Sequence, residues 1–138
     1  MSAGLSQPSI SNPAAANTIE AASGARLTTG GAWLNASSRA LKDEIQLLAP
    51  GDARAAFDAL QPVTFVYRAA PGERHVGFVA EDVPDLVASP DRKALSAMDL
   101  VAVLTRVVQD QDRRLAEQEQ RLAELTARFD ALVAARQR

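Results

Sequence analysis

The sequence predicts an α+β fold: a small head made of a β-hairpin and short helices, followed by a long C-terminal coiled-coil helix. Three observations predict it. From Val101 to Leu132, residues alternately three and four apart read Val101, Leu104, Val108, Gln111, Leu115, Gln118, Leu122, Leu125, Phe129 and Leu132 without a slip. A sustained repeat of 3.5 is the mark of a helix that supercoils with partners. No Gly or Pro interrupts residues 96–138, and Ser96 followed by Asp99 has the form of a helix-starting capping pair. Upstream, residues 62–68 (PVTFVYR) and 75–80 (HVGFVA) carry the β-branched and aromatic content of paired strands.

Taken in order, residues 1–18 are rich in Ala, Ser, Asn and Pro and lack the basic and apolar regions of a signal peptide. Residues 19–36 (IEAASGARLTTGGAWLNA) are short apolar-polar alternations broken by Gly24, Gly30 and Gly31. They predict small strands joined by turns, the end of a β-stalk or of a leader, with Trp33 as its anchor. Residues 52–60 (DARAAFDAL) predict a short helix with Ala55, Phe57 and Leu60 inward. The two strands flank a turn over residues 69–74, placed there by Pro71 and Gly72. Residues 81–87 predict one helical turn, residues 88–95 a surface loop, and residues from 97 to the mid-130s the long helix. The expected divisions are 1–36, 37–100 and 101–138.

A head of some 60 residues buries only about 60% of its unfolded surface and is marginal alone. The seam of the long helix is too narrow for a globular core and too apolar for water. Together they predict an obligate oligomer, against the alternative of an amphipathic helix packed on its own domain. The seam does not fix the number of copies. Gln111 and Gln118 put polar layers into it, which weaken it but penalise slipped registers. With Val101 at heptad position a, Asp110, Glu117 and Glu124 stand four residues before Arg114, Arg121 and Arg128, the favourable order for ion pairs along a helix.

Composition removes several function classes. Net charge is -2 with a pI near 5.4, so no basic footprint for nucleic acid is present. No apolar run spans a bilayer, and there is no Cys. A single His excludes a multi-His metal site, so neither metal nor cofactor is expected. His75 reads as a hydrogen-bonded structural residue, and Glu81, Asp82 and Asp85 as acids complementing a helix start. What remains is Ser37, Ser38 and Lys42. The chain has two lysines, Lys42 and Lys93, against thirteen arginines. Lysine loses its proton when desolvated and arginine does not, and a Ser-Lys pair is a known nucleophile-base variant.

Four blocks in order, SSRALKDEI, LQPVTFVYR, ERHVGFVAEDVPDLV and ALSAMDLVAVLTRVVQDQ followed by heptads, resemble the C-terminal intramolecular chaperone domain of endosialidase-type phage tail spikes. The same module occurs in other tail fibres and in the myelin regulatory factor. The resemblance implies a homotrimer that brings an upstream fibre or stalk chain into register, on a virion tail fibre or a bacterial surface fibre assembled in the cytoplasm. It further implies release by self-cleavage of the Ala36–Ser37 bond, with Ser37 as nucleophile and Lys42 as base. His75, Gly77, Phe78 and Ala80 match the strand that supports the site. Ser38 stands where the family has Asp, and Glu81 where many members have Gln. In an α-helix residues five apart lie about 140° apart around the axis. Either the segment is not helical, then, or Lys42 serves Ser37 of a neighbouring subunit.

Overall fold

A computed structural model describes residues 17–137, so most of the expectation for residues 1–18 lies outside it. The chain divides into two compact units, meeting between Gln46 and Leu47.

The first unit is a three-stranded antiparallel meander, β1 (Asn17–Glu20), β2 (Arg26–Thr28) and β3 (Trp33–Leu34), followed by a 3₁₀ turn over Arg39–Leu41. The reversals between strands use Gly24 at φ +84 and Gly31 at φ +82, backbone that a side chain disfavours. At Gly24 a Cβ would also stand 3.3 Å from Cβ of Ala36. Trp33 does not anchor the unit as expected. It is 54% exposed, and its indole N–H donates to Asn35 Oδ1 at 3.0 Å.

The second unit contains α1 (Pro50–Ala59), the hairpin β4 (Val63–Tyr67) and β5 (Ala70–Gly77), and α2 (Ala97–Arg136). Pro50 opens α1, where its missing N–H costs nothing. The inward face of α1 is Ala53 and Ala56, with Leu60 packed on the core, whereas Ala55 and Phe57 are exposed. Small alanines let α1 approach α2 closely, which the larger Phe57 would prevent. The hairpin is tighter than expected. Arg68 and Ala69 make the turn, and Pro71 and Gly72 fall inside β5 at an irregularity, where pairing shifts from Val66↔Arg74 to Tyr67↔Ala70. Residues 81–87 form turns, with the Pro84 carbonyl accepting from the N–H groups of Val87 and Ala88.

The core is Ala56, Val83, Val87 and Val103, ringed by Leu48, Leu60, Phe78, Ala88, Leu95 and Leu100. A surface device holds its 81–87 wall. The Arg92 guanidinium donates to the carbonyls of Glu81 (2.9 Å) and Val83 (2.7 Å) and pairs with Asp85. Arg92 itself sits at φ +51, at the tip of the loop closed by the Ala88↔Leu95 bridge.

The long helix starts where the capping pair places it, with Ser96 Oγ accepting from the Asp99 N–H at 3.3 Å. It presents two faces. Leu100, Val103 and Val107 pack into the head, with Val103 and Val107 2% and 5% exposed. The seam lies roughly 100° around the helix from that face. Its Val101, Leu104 and Val108 are about half exposed even beside the head. From Gln111 to Gln137 every residue is exposed, including Leu115, Leu122, Leu125, Phe129 and Leu132. Among the described residues, no helix is long and apolar enough to cross a membrane.

Candidate active site

Ser37 and Lys42 flank the 3₁₀ turn and meet within one chain. The chain arrives extended at Ser38 (φ -61, ψ 143), makes one turn through Arg39–Leu41, and leaves extended at Lys42 (φ -134, ψ 134). Backbone bonds from Leu41 N–H to the Ser38 carbonyl and from Lys42 N–H to the Arg39 carbonyl close the turn. The residues on either side are therefore brought alongside each other. Lys42 Nζ donates to Ser37 Oγ at 2.7 Å. Of the two geometries left open by the spacing, the structure has the non-helical one.

Ser38 explains why the turn forms. Its hydroxyl accepts from the Ala40 N–H at 3.3 Å, capping the 3₁₀ turn. Asp and Ser are near-equal capping residues, so an aspartate at this position would cap the turn as well. This capping role is not legible from the spacing of Ser37 and Lys42, although Ser before a short turn is its usual signal.

Ala36, on the acyl side of the expected cut, is half-buried against Gly24 of the preceding reversal. Ser37 and Lys42 are themselves exposed. A protonated amine only donates hydrogen bonds, so activating a serine needs the neutral form. Withdrawn from water, the neutral amine accepts the hydroxyl proton and the serine becomes a nucleophile.

His75, Gly77 and Glu81 belong to the second unit. His75 lies opposite Phe65 in the hairpin, and their rings stack at 5.8 Å, with Tyr67 edge-on to the imidazole at 5.2 Å. Its Nε2 is 3.9 Å from Glu73, on the hairpin surface. Gly77 has a packing reason, because a Cβ there would stand 3.2 Å from the Phe65 ring. Glu81 contributes its carbonyl to Arg92 and lines a groove with Phe65, Tyr67, Phe78 and Lys93. Among the described residues, no group of three His, Cys, Asp or Glu side chains is placed to hold a metal ion.

No curated protein and no solved structure matches the chain. A protein-family model, described as the chaperone of endosialidase, matches residues 37–91, from the serine of the Ser-Lys pair through the hairpin to the loop before α2. Over residues 37–91 the chain is therefore similar to the chaperone of endosialidase.

Proposed function

We propose that this chain is an intramolecular chaperone that drives homotrimerisation of an upstream fibre or tail-spike chain and then releases itself by cutting before Ser37. The observation that carries the cut is the 2.7 Å approach of Lys42 Nζ to Ser37 Oγ across the capped turn. The family match supports the chaperone role. The open seam of α2 supports an oligomer, and the resemblance of its blocks to trimeric chaperones supports three copies.

In the proposed reaction the Ser37 hydroxyl adds to the Ala36 carbonyl carbon while Lys42, as the neutral amine, takes its proton. The tetrahedral centre collapses with loss of the Ser37 nitrogen, which receives that proton from Lys42, leaving an ester between the Ala36 acyl group and Ser37 Oγ. Water hydrolyses the ester. The products are a carboxylate on Ala36 and residues 37–138 with Ser37 as the new N-terminus. The chain is its own substrate, so turnover is single.

Exposure of the pair in one chain bears on timing. Desolvation favours the neutral form of an amine, so burial by neighbouring subunits would arm the base and make cutting follow assembly. The same exposure favours the second reading, a trimerisation module at the end of a tail or surface fibre that keeps the fold and does not cut.

Intact mass of the purified chain, followed after the oligomer has formed, separates the two. The expected result is conversion to residues 37–138, abolished in Ser37→Ala and Lys42→Arg. An unchanged mass in an assembled protein would exclude cleavage and leave the non-cutting module.

A further inference from the structure

Among the described residues, those from Thr29 to Leu47 are all exposed except Ala36. Ala36 is the residue whose carbonyl is attacked in the proposed cut, and what covers it is Gly24. β2 pairs with β3 at Leu27↔Trp33 and Arg26↔Leu34, and that register carried two residues further sets Gly24 opposite Ala36. The approach is closer than strand pairing usually allows. Cβ atoms of directly opposed residues stand about 4.5–5.5 Å apart. A Cβ built on Gly24 would stand 3.3 Å from Cβ of Ala36. One methyl group therefore fits between the two backbones, and a second does not.

Gly24 is fixed by its own reversal. Its N–H donates to the Ala21 carbonyl and the Ala21 N–H to the Ala25 carbonyl, both at 2.8 Å. Its own carbonyl accepts from Nη1 of Arg26 at 3.4 Å. Conformation alone would call for glycine here, since φ is +84. Gly31, at φ +82 in the other reversal, separates conformation from contact, because a Cβ there meets nothing within 4 Å. The two glycines share a backbone conformation and differ in what they face.

The Ser37–Lys42 pair is set by the capped turn that follows the cut. The carbonyl to be attacked belongs to the residue before it, so the turn does not hold both reacting groups. A misplacement of about 1 Å between such groups costs about a hundredfold in rate. We propose that Gly24 is the acyl-side subsite of the self-cleavage: a flat seat that holds Ala36 by its methyl group, fixes the Ala36 carbonyl for attack by Ser37, and admits no larger side chain before the cut. This rests on the reading of Ala36–Ser37 as the scissile bond and adds to it a specificity-determining residue from the β1–β2 reversal.

Intact-mass time courses of the full chain, read as conversion to residues 37–138, test it. Gly24→Asn keeps a residue type that accepts positive φ and adds the Cβ. Returning Ala36 to an ordinary cross-strand distance moves it by about 1 Å, so the cut should slow roughly ten- to a hundredfold. Gly31→Asn carries the same backbone change into open space and should cut at the wild-type rate. Ala36→Gly removes the other partner of the contact. Adding Gly24→Asn to that chain should cost no more than about twofold, whereas a purely conformational effect would repeat in full. Ala36→Val crowds the seat from the acyl side with the reversal intact, through two γ-carbons on one stiff Cβ, and should also slow the cut. It decides the matter if Gly24→Asn loosens the meander, which emission of Trp33, the one tryptophan, reports from β3. Wild-type rates in Gly24→Asn or in Ala36→Val, or equal slowing by Gly24→Asn and Gly31→Asn, overturn the subsite alone. A wild-type chain that assembles and stays intact overturns the cut and the subsite with it.

Discussion

The two faces of α2 should be separable by mutation, because one is covered within the chain and the other is not. Val103 is 2% exposed among Ala56, Val83 and Val87, so Val103→Ala deletes two buried carbons and leaves a cavity. At about 0.8 kcal/mol per buried methylene, with a cavity contribution added, the cost is about 2 kcal/mol. For a head this small that is a large share of its stability. Leu122 is 63% exposed in the single chain. Truncating it removes three carbons, about 2.4 kcal/mol if fully buried but under about 1 kcal/mol at the burial seen in one chain. Chemical unfolding followed by far-UV circular dichroism over a range of protein concentrations distinguishes the cases. Val103→Ala should lower the midpoint by the same amount at every concentration. Leu122→Ala should have little effect in dilute solution and a cost of about 2–4 kcal/mol per chain once the seam closes. If Leu122→Ala were equally damaging at all concentrations, its side chain would be covered by its own chain, and the two-face reasoning would be wrong.

Three further outcomes are expected. Ser38→Ala removes the cap of the 3₁₀ turn, about 1 kcal/mol of local stability, and should slow any self-cleavage, whereas Ser38→Asp should preserve it; intact-mass time courses compare the two. Arg92→Lys keeps the charge but not the fork that reaches the Glu81 and Val83 carbonyls, so it should destabilise the head by about 1–2 kcal/mol, nearly as much as Arg92→Ala, in a denaturant titration. The Asp91 carboxyl is held below the usual carboxylate range by the Ser89 hydroxyl at 2.7 Å and then by the Lys93 N–H at 3.1 Å. Its folded value lies below its unfolded one, so its contribution to the 89–93 loop is present above the ordinary carboxylate pKa and disappears as pH falls through the folded value. The protection of the Lys93 amide, relative to its intrinsic exchange rate at each pH, should fall over that acid range, and Asp91→Asn should remove that fall.

How much of this was readable in the chain depended on how directly each residue type reports its surroundings. The start of α2 and its extent followed from Ser96, Asp99 and an unbroken run without Gly or Pro, because caps and breakers act locally. The inner face of α1 did not follow. Four of its residues are alanines, which carry little hydrophobic phase, and the choice between Ala53/Ala56 and Ala55/Phe57 is made by how closely α2 approaches. Pro71 and Gly72 are ordinary turn residues, and only the pairing register reveals that they lie within β5. Gly77 was more legible, since a glycine inside a strand often marks close approach, and the Phe65 ring is what approaches. The Ser37–Lys42 geometry was readable only as a pair of alternatives. A spacing of five forbids an α-helical contact but does not name the turn that permits one.

The residues Leu100, Val103 and Val107 were hidden for a different reason: they form a second apolar stripe on a helix already accounted for by a stronger one. The stripe ends at Val107, roughly 16 Å into a helix roughly 60 Å long. Beyond it, among the described residues, none covers α2, and its apolar line is the seam. An unpartnered helix in water has little stability of its own, since most helical stability in proteins comes from packing an apolar face. A chain that spent its distal stripe on its own head would have needed the Leu100–Val107 face to continue as hydrophobic residues. It continues instead as Asp110 and Arg114, joined to each other at 2.8 Å. The change of residue type at that point divides the helix into a part packed on its own head and a part whose apolar line stays open in the single chain.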